Sequence, residues 1–515
     1  MDAVATRPHS PGPGSVGGGS ASSTDRVDLR AAVDQMLARW PSVGLAVGLV
    51  REGRLDQVEA RGYADLRSRV PVTPQTVVRI GSITKTMTAV AVLQLRERGL
   101  LNLDAPAAHV LRAYRLVARV PHWPQPTIRH LLTHTAGLPD VRRFADLLDL
   151  GAGPWDARPP LGSVPFGEEL PTLAAYYADG LEVVASPGSA FAYSNHGFAT
   201  LGQIVEDVSG MPLDRYLDEH LFEPLGMQSS GLVRTRVIAG RLATGYLLGS
   251  GGPTRVADRD WMGAGAGGAY STLDDLGAYA IGLMDGSAGA RPVLDGSSAA
   301  QLFDRQYETH PDLPAMGLGI FRTDVRGEPV VHHDGILPGF NSHLALVPGR
   351  GIGLIALTNG SNGAMRWLPG EMDHLLRDLL NAHDERPRDV PHHPEIWRRI
   401  SGRYLLPPRV SDLRGRLAMG GGVQIFVRRG RPMLRLRLPL PAVWSGFPMY
   451  GDDAADPLAF WVDLSAIGIG NVRMRFGEQH GRMALHTDLG GQPITLERPR
   501  PRRVKWHLGR RGLRR

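Results

Sequence analysis

The spacing of apolar and polar positions divides the 515-residue chain into a long mixed region and a shorter β-rich one. In residues 24–40, Leu29, Val33, Met36 and Leu37 recur at helical spacing and predict an opening amphipathic helix. Residues 43–51 and 54–61 flank Glu52-Gly53 and predict a β-hairpin. Residues 77–80 form a short strand-like run leading into Gly81-Ser82. A helix is expected from 82 to about 98, carrying Ala89, Val92, Leu93 and Leu95, with Ser82 as its N-cap and Gly99 ending it. Residues 100–260 read as helical stretches broken by Pro and Gly loops. Strand character returns at 330–333, 343–347 and 352–357, the last two joined by Pro348-Gly349-Arg350-Gly351, and 368–380 reads as a closing helix.

This order predicts a mixed α/β (α+β) domain: a sheet with strands from both ends of the region and a helical lobe between. Pro, His and charged residues then mark a linker. Beyond it, residues 423–427, 433–438, 460–464, 472–476 and 483–487 are short strands punctuated by Gly, as in a small antiparallel barrel or sandwich. The expected division is a disordered leader (1–26), a main domain (27–385), a linker (386–396), a β-rich domain (397–497) and a basic tail (498–515). No internal repeat is visible.

Composition narrows the function classes. At 42% hydrophobic, the chain can bury a large core, yet no apolar run reaches the roughly 18 residues of a membrane span. The Gly-, Pro- and Ser-rich start lacks the basic and apolar segments of a secretory signal, so a cytoplasmic location is expected, with export left open. There is no cysteine, which excludes disulfides, cysteine-based metal sites and a thiol nucleophile. The formal charge is +7, but the tail from Arg498 to Arg515 holds nine Lys and Arg and no acid, and the rest of the chain carries −2. The body therefore gives no reason to expect a nucleic-acid partner. The tail reads as a solvated terminus that could touch an anionic surface.

Among 58 basic residues only Lys85 and Lys505 are lysines. A chain that uses arginine wherever a simple positive charge suffices has kept one internal amine. Burial and neighbouring charges can neutralise an amine near pH 7, whereas a guanidinium stays protonated and cannot act as a base. Ser82-Ile83-Thr84-Lys85 sets that amine three residues after a hydroxyl, on one face of a helix. A serine hydroxyl is a weak nucleophile until a base takes its proton, and the helix start favours developing negative charge at the Ser82 amide.

Two more stretches complete a constellation. In Tyr193-Ser194-Asn195, an extended backbone would face Tyr193 and Asn195 into one pocket. The phenol could pass a proton between Ser82 and a leaving group, and Asn195 offers donor and acceptor to the Lys85 amine or a substrate amide. In His333-Asp334-Gly335, a strand would put His333 and Gly335 on one face. Gly335 would let substrate approach, and the Ile336 amide could join that of Ser82 as an oxyanion donor.

As a set these stretches resemble the serine β-lactamase and penicillin-binding-protein superfamily, in its class C-like branch of esterases, D-aminopeptidases and D-alanyl-D-alanine carboxypeptidases. Ser82 to Lys85 is similar to its Ser-x-x-Lys motif, Tyr193 to Asn195 to its Tyr-x-Asn, and His333 to Gly335 to its strand-borne third motif. Leu131 to Pro139 and Gly267 to Thr272 match accessory stretches, with His134 read as structural. The resemblance implies Ser82 as acylated nucleophile, Lys85 and Tyr193 as proton-transfer pair, and Asn195 and His333 as substrate-side contacts. It implies an antiparallel sheet flanked by helices with a helical lobe, a small-molecule or short-peptide substrate and no cofactor or metal. Antibiotic-degrading members carry lysine where His333 stands, so the resemblance leans toward ester or peptide-like substrates. The region after 395, opening on Gly402-Arg403-Tyr404, resembles the lipocalin-like extensions of some members.

Other readings fare worse. No serine sits in the Gly-x-Ser-x-Gly elbow of an α/β-hydrolase, and His130 and His134 lack the glutamate of His-Glu-x-x-His, Leu131 standing in its place. The remaining alternative is a catalytically silent binding or scaffold protein on the same fold. Oligomeric state and natural substrate are not legible.

Overall fold

Glu52 and Gly53 both take positive φ (52° and 69°), the backbone hand that joins two twisted antiparallel strands through a tight turn. The strands they join, Gly44–Arg51 and Arg54–Asp65, form the predicted hairpin, the second four residues longer than its pattern indicated. The computed structural model describes residues 27–138, 163–284, 292–360, 363–382, 390, 393–407, 422–437, 444–467, 470–479, 481–488 and 491–499. The predicted leader, most of the linker, Pro139 and the tail beyond residue 499 lie outside them.

The other neighbour of Gly44–Arg51 is Ile352–Thr358, from the far end of the region, paired Leu45 to Thr358 through Val50 to Gly353. The sheet has nine strands, all antiparallel, in the order Tyr307–Glu308, Ala315–Met316, Phe321–Val325, Glu328–Leu337, Phe340–Val347, Ile352–Thr358, Gly44–Arg51, Arg54–Asp65 and Val70–Pro71. Ile352–Thr358 is buried along its whole length, as a central strand covered on both faces must be. Helices Leu29–Arg39 and Ala364–Leu379 close one face through Val33, Met36, Trp367 and Met372. Leu273–Met284 and the lobe close the other.

Helix Thr84–Glu97 runs inside that second layer. Every side chain from Thr84 to Leu95 is buried, so it is a core helix and not an amphipathic surface one. Ser82 is not its N-cap: Gly81–Ile83 form a 3-10 turn ahead of the helix, which leaves the Ser82 hydroxyl to other partners. Among its described residues the insert holds helix Asn195–Ser209 and several shorter helices, together with short strands that the sequence did not announce. Leu116–Ala118 pairs parallel with Leu181–Val183, and Ser163–Pro165 pairs antiparallel with Arg259–Trp261. Strands of three residues are too short to show a period.

After helix Pro394–Ile400 come eight strands, each paired antiparallel with the next in chain order from Gly402–Tyr404 to Ile494–Glu497. Leu405 and Glu497 exchange two backbone hydrogen bonds of 2.9 Å, joining last strand to first and making the sheet a near-barrel. Tyr404, Phe460, Phe476 and Leu485 fill it. Arg475 of this module is 5% exposed. It lies 2.8 Å from its own Asp452 and donates through Nε to Asp312 of the main region at 3.2 Å. No described helix is long and apolar enough to cross a membrane.

Candidate active site

The turn bearing Ser82 is braced internally and held from two sides. Gly81 takes φ +52°, a conformation glycine adopts without strain. The Thr84 hydroxyl donates to the Gly81 carbonyl at 2.7 Å and accepts from the Ala269 amide at 3.1 Å. The Ile80 amide donates to the Ala269 carbonyl at 3.0 Å, and the Ser342 hydroxyl donates to the Ile80 carbonyl at 2.7 Å. Gly263 to Ala269 thus wraps the turn from one side and the sheet from the other.

Lys85 is 0% exposed, and its Nζ meets three neutral groups: Ser82 Oγ at 2.9 Å, Asn195 Oδ1 at 2.6 Å and the Ala266 carbonyl at 2.6 Å. The same Nζ sits 4.8 Å from the centroid of the Tyr193 ring. Ser82 and Tyr193 are half-buried, so the hydroxyl remains within reach of a ligand. Ser194, in extended conformation, caps helix Asn195–Ser209 by accepting from the Gly197 amide at 3.0 Å. That cap starts the helix at Asn195 and leaves Tyr193 in the preceding coil. Four of the predicted residues, from two separate stretches of chain, therefore meet at one point.

The third stretch lies on Glu328–Leu337. Buried Val331, His333, Gly335 and Leu337 alternate with His332, Asp334 and Ile336, so His333 and Gly335 share the face toward Ser82. A Cβ on Gly81 would come within 2.8 Å of the Ile336 amide nitrogen, which places that amide beside the Ser82 turn. Ile336 itself is 37% exposed. Gly335 makes room for protein and not for substrate: a Cβ there would fall 1.9 Å from the Ile80 carbonyl oxygen and 2.2 Å from Ser342 Oγ.

His333 is 1% exposed, and its ring centroid is 6.3 Å from that of Tyr193. Its Nδ1 lies 2.8 Å from the Asp334 carbonyl, an acceptor, so Nδ1 carries the proton. Its Nε2 has no hydrogen-bond partner among the described residues. Burial, with the nearby Lys85 charge adding to it, brings the imidazole down to about 3, so it is neutral at neutral pH. Behind it, burial works to raise the Asp334 carboxyl, but His343, 2.7 Å away, holds it below the usual carboxylate range.

Sequence reasoning missed the Ala266 carbonyl, Thr84, Ser342 and the reach of His134. The first is a backbone atom and carries no residue signal, although the Gly/Ala run at 263–269 marks a stretch that must approach other backbone closely. The two hydroxyls look like any others until the turn they brace is known.

A mixed fold with Ser-x-x-Lys heading a buried core helix, Tyr-x-Asn heading a second helix and a third motif on an adjoining strand is the architecture of the serine β-lactamase and penicillin-binding-protein superfamily. The Beta-lactamase family model matches residues 29–375, and the chain belongs to that family. It is 34% identical to esterase EstB of Burkholderia gladioli over 46% of this chain and 58% of that protein. It is 27% identical to a D-aminopeptidase of Gluconobacter oxydans over 65% and 59%. Identity is 32% to penicillin-binding protein 4 of Amycolatopsis lactamdurans, over 67% and 90%. The chain spans nearly three fifths of the length of the first two relatives. Among solved structures, SurE with D-Leu superposes with TM-score 0.58 at 23% identity, covering 93% of this chain and all of that one. The octameric penicillin-binding protein homologue of Pyrococcus abyssi does so at 0.56 and 22%, over 92% and 100%. Both include the near-barrel in their coverage, and at these identities they bear on the fold alone.

Proposed function

We propose that this chain is a serine hydrolase that cleaves an ester or amide through an acyl-enzyme on Ser82. The observation that carries the reading is the triple contact of Lys85 Nζ with Ser82 Oγ, Asn195 Oδ1 and the Ala266 carbonyl. Once it has given up its resting proton for the reaction, the Lys85 amine has two N–H bonds and one lone pair. Donating to Asn195 and Ala266 leaves the lone pair aimed at the Ser82 hydroxyl, as a base must be.

In this reading Ser82 Oγ attacks the substrate carbonyl carbon while its proton passes to Lys85. The Ser82 and Ile336 amides take the developing oxyanion. The bond to the leaving group then breaks as Tyr193 delivers a proton to it, refilled from Lys85, and Oγ keeps the acyl group. Water attacks the acyl carbon in the second half, its proton returning through the same pair, and the acid departs as Ser82 Oγ is reprotonated. The neutral His333 offers no positive charge to a substrate carboxylate, which favours ester or peptide-like acyl donors over carboxylate-bearing β-lactams. An esterase and a D-aminopeptidase among the relatives fit that leaning.

The test is intact-mass analysis after exposure to a fluorophosphonate or p-nitrophenyl acetate. A single adduct on Ser82, absent from Ser82→Ala, is expected. An unmodified wild-type chain would favour the silent scaffold, and a Ser82→Ala variant that still turns over the ester would move the nucleophile elsewhere. A panel of p-nitrophenyl esters, D-amino acid amides and nitrocefin then ranks substrates.

A further inference from the structure

His134 has φ +56°, a left-handed backbone that non-glycine residues adopt rarely and at a cost. It is also 1% exposed. A strained, fully buried histidine needs a reason, and the bonds it makes supply one. Its carbonyl accepts from the Ala192 amide at 2.8 Å, and its ring Nδ1 accepts from the Ser194 amide at 3.0 Å. Those two amides flank Tyr193. The imidazole also stacks on the Tyr193 ring, with centroids 4.3 Å apart and planes 28° from parallel. One residue therefore grips the backbone on both sides of the phenol and lies against its ring.

We infer that His134 is the positioning residue for Tyr193, its two acceptors fixing the backbone from which the phenol is presented to Ser82 and Lys85. The left-handed backbone is what lets one residue turn both its carbonyl and its ring nitrogen toward the same segment. Because Nδ1 accepts from an N–H, the ring holds its proton on Nε2. Burial first, with the Lys85 charge adding to it, keeps the imidazole well below its ordinary value, so this tautomer persists across the working range. His134 touches neither Ser82 nor Lys85 by hydrogen bond and acts through Tyr193.

The inference rests on the proposed proton transfer by Tyr193, and the experiment separates the two. An alkoxide leaving group needs a proton far more than p-nitrophenolate does. Loss of Tyr193 alignment should therefore slow an ethyl ester much more than the p-nitrophenyl ester of the same acid. Gly and Asn both tolerate positive φ, both remove the ring, and only Asn keeps an acceptor near the Nδ1 position. His134→Gly is expected to lose about 10- to 100-fold in kcat/KM on the ethyl ester and under about threefold on the p-nitrophenyl ester, part of the range a positioned acid contributes. His134→Asn should recover most of the ethyl-ester loss. In a Tyr193→Phe background, His134→Gly should add almost nothing, since both changes remove one function.

Equal losses on the two esters, no recovery by Asn, or additive losses in the double variant would overturn the inference. If Tyr193→Phe alone slows both esters equally, the proton-transfer reading itself falls and the inference with it. Should His134→Gly fail to fold, His134→Phe, which refills the space without an acceptor, carries the same expectations.

Discussion

Gly335 and Ile80 are packed so closely that a methyl group on the glycine would overlap the isoleucine carbonyl oxygen. The contact joins the third motif to the serine turn. It sets the Ile336 amide against Gly81 without any side chain intervening, so the alignment of the two proposed oxyanion donors depends on two stretches of main chain touching.

Gly335→Ala should therefore strike activity first. The added Cβ meets backbone, which cannot rotate away, and the strand must retreat from the turn. Displacing one oxyanion donor is worth about 10²–10³ in turnover. We expect kcat for a p-nitrophenyl ester to fall by about that factor, with overpacking costing about 1–3 kcal/mol in urea unfolding. A variant with wild-type kcat would show that the amide of Ile336 has no part in the chemistry.

Lys85→Arg keeps the charge and removes the base. Its guanidinium cannot accept the Ser82 proton, and a planar fork fits poorly among Ser82, Asn195 and the Ala266 carbonyl. Turnover should drop by about 10²–10⁴, checked by single-turnover acylation monitored at the leaving group. Rates within about threefold of wild type would refute the role given to the amine.

The site's chemistry was legible where it depends on side chains at fixed spacing. Ser82 and Lys85 stand one helical turn apart, and Tyr193 and Asn195 frame a helix cap; both patterns survive translation into space. What escaped was set by backbone. Ser82 has the composition of an N-cap, but the Gly81 turn tightens into 3-10 geometry and the cap is lost. Gly335 reads as a space for substrate until Ile80 is seen to occupy it. In the fold, long central strands such as Ile352–Thr358 announce themselves by apolar runs. Phe447–Gly451, with Pro448 inside it, is not among the strands expected from the sequence, and it pairs with a neighbour on each side. His134 passed as structural because no acid stands near it in sequence, and its backbone hand was invisible.

Acid should weaken the fold through His333. Its value falls from the ordinary 6.5 to about 3 when folded, so the unfolded chain binds the extra proton between those limits. Stability is then complete above about 6.5 and declines as pH drops toward 3, at up to about 1.4 kcal/mol per pH unit for this group. Asp488, pushed up to about 6 by burial, acts in the opposite sense over part of that interval. The diagnostic is thus the difference between wild type and His333→Gln in denaturant melts from pH 4 to 7.5. The wild type should lose more on acidification, and parallel curves would contradict the burial argument.

Between the main region and the near-barrel, Arg475 and Asp452 are 5% and 3% exposed, while Asp312 is about half exposed. Removing Arg475 leaves the buried Asp452 only the half-exposed Arg473, 3.5 Å away. Arg475→Met should cost about 3–5 kcal/mol, whereas Asp312→Ala should cost at most about 1 kcal/mol. Denaturant unfolding of the full chain checks the ranking, and equal costs would mean that the seam depends on Asp312.

The nine-stranded sheet ends in two-residue strands, Tyr307–Glu308 on one side and Val70–Pro71 on the other, and the eight-stranded one is closed by Leu405 and Glu497. The eight-stranded sheet closes on itself, whereas in the nine-stranded one Arg54 to Gly62 extends past the Val70–Pro71 pairing, which reaches only Tyr63 and Asp65. Along that stretch no strand pairs the outer side among the described residues, and the charged Arg54, Asp56, Glu59 and Arg61 are what stand against ribbon extension by a second copy.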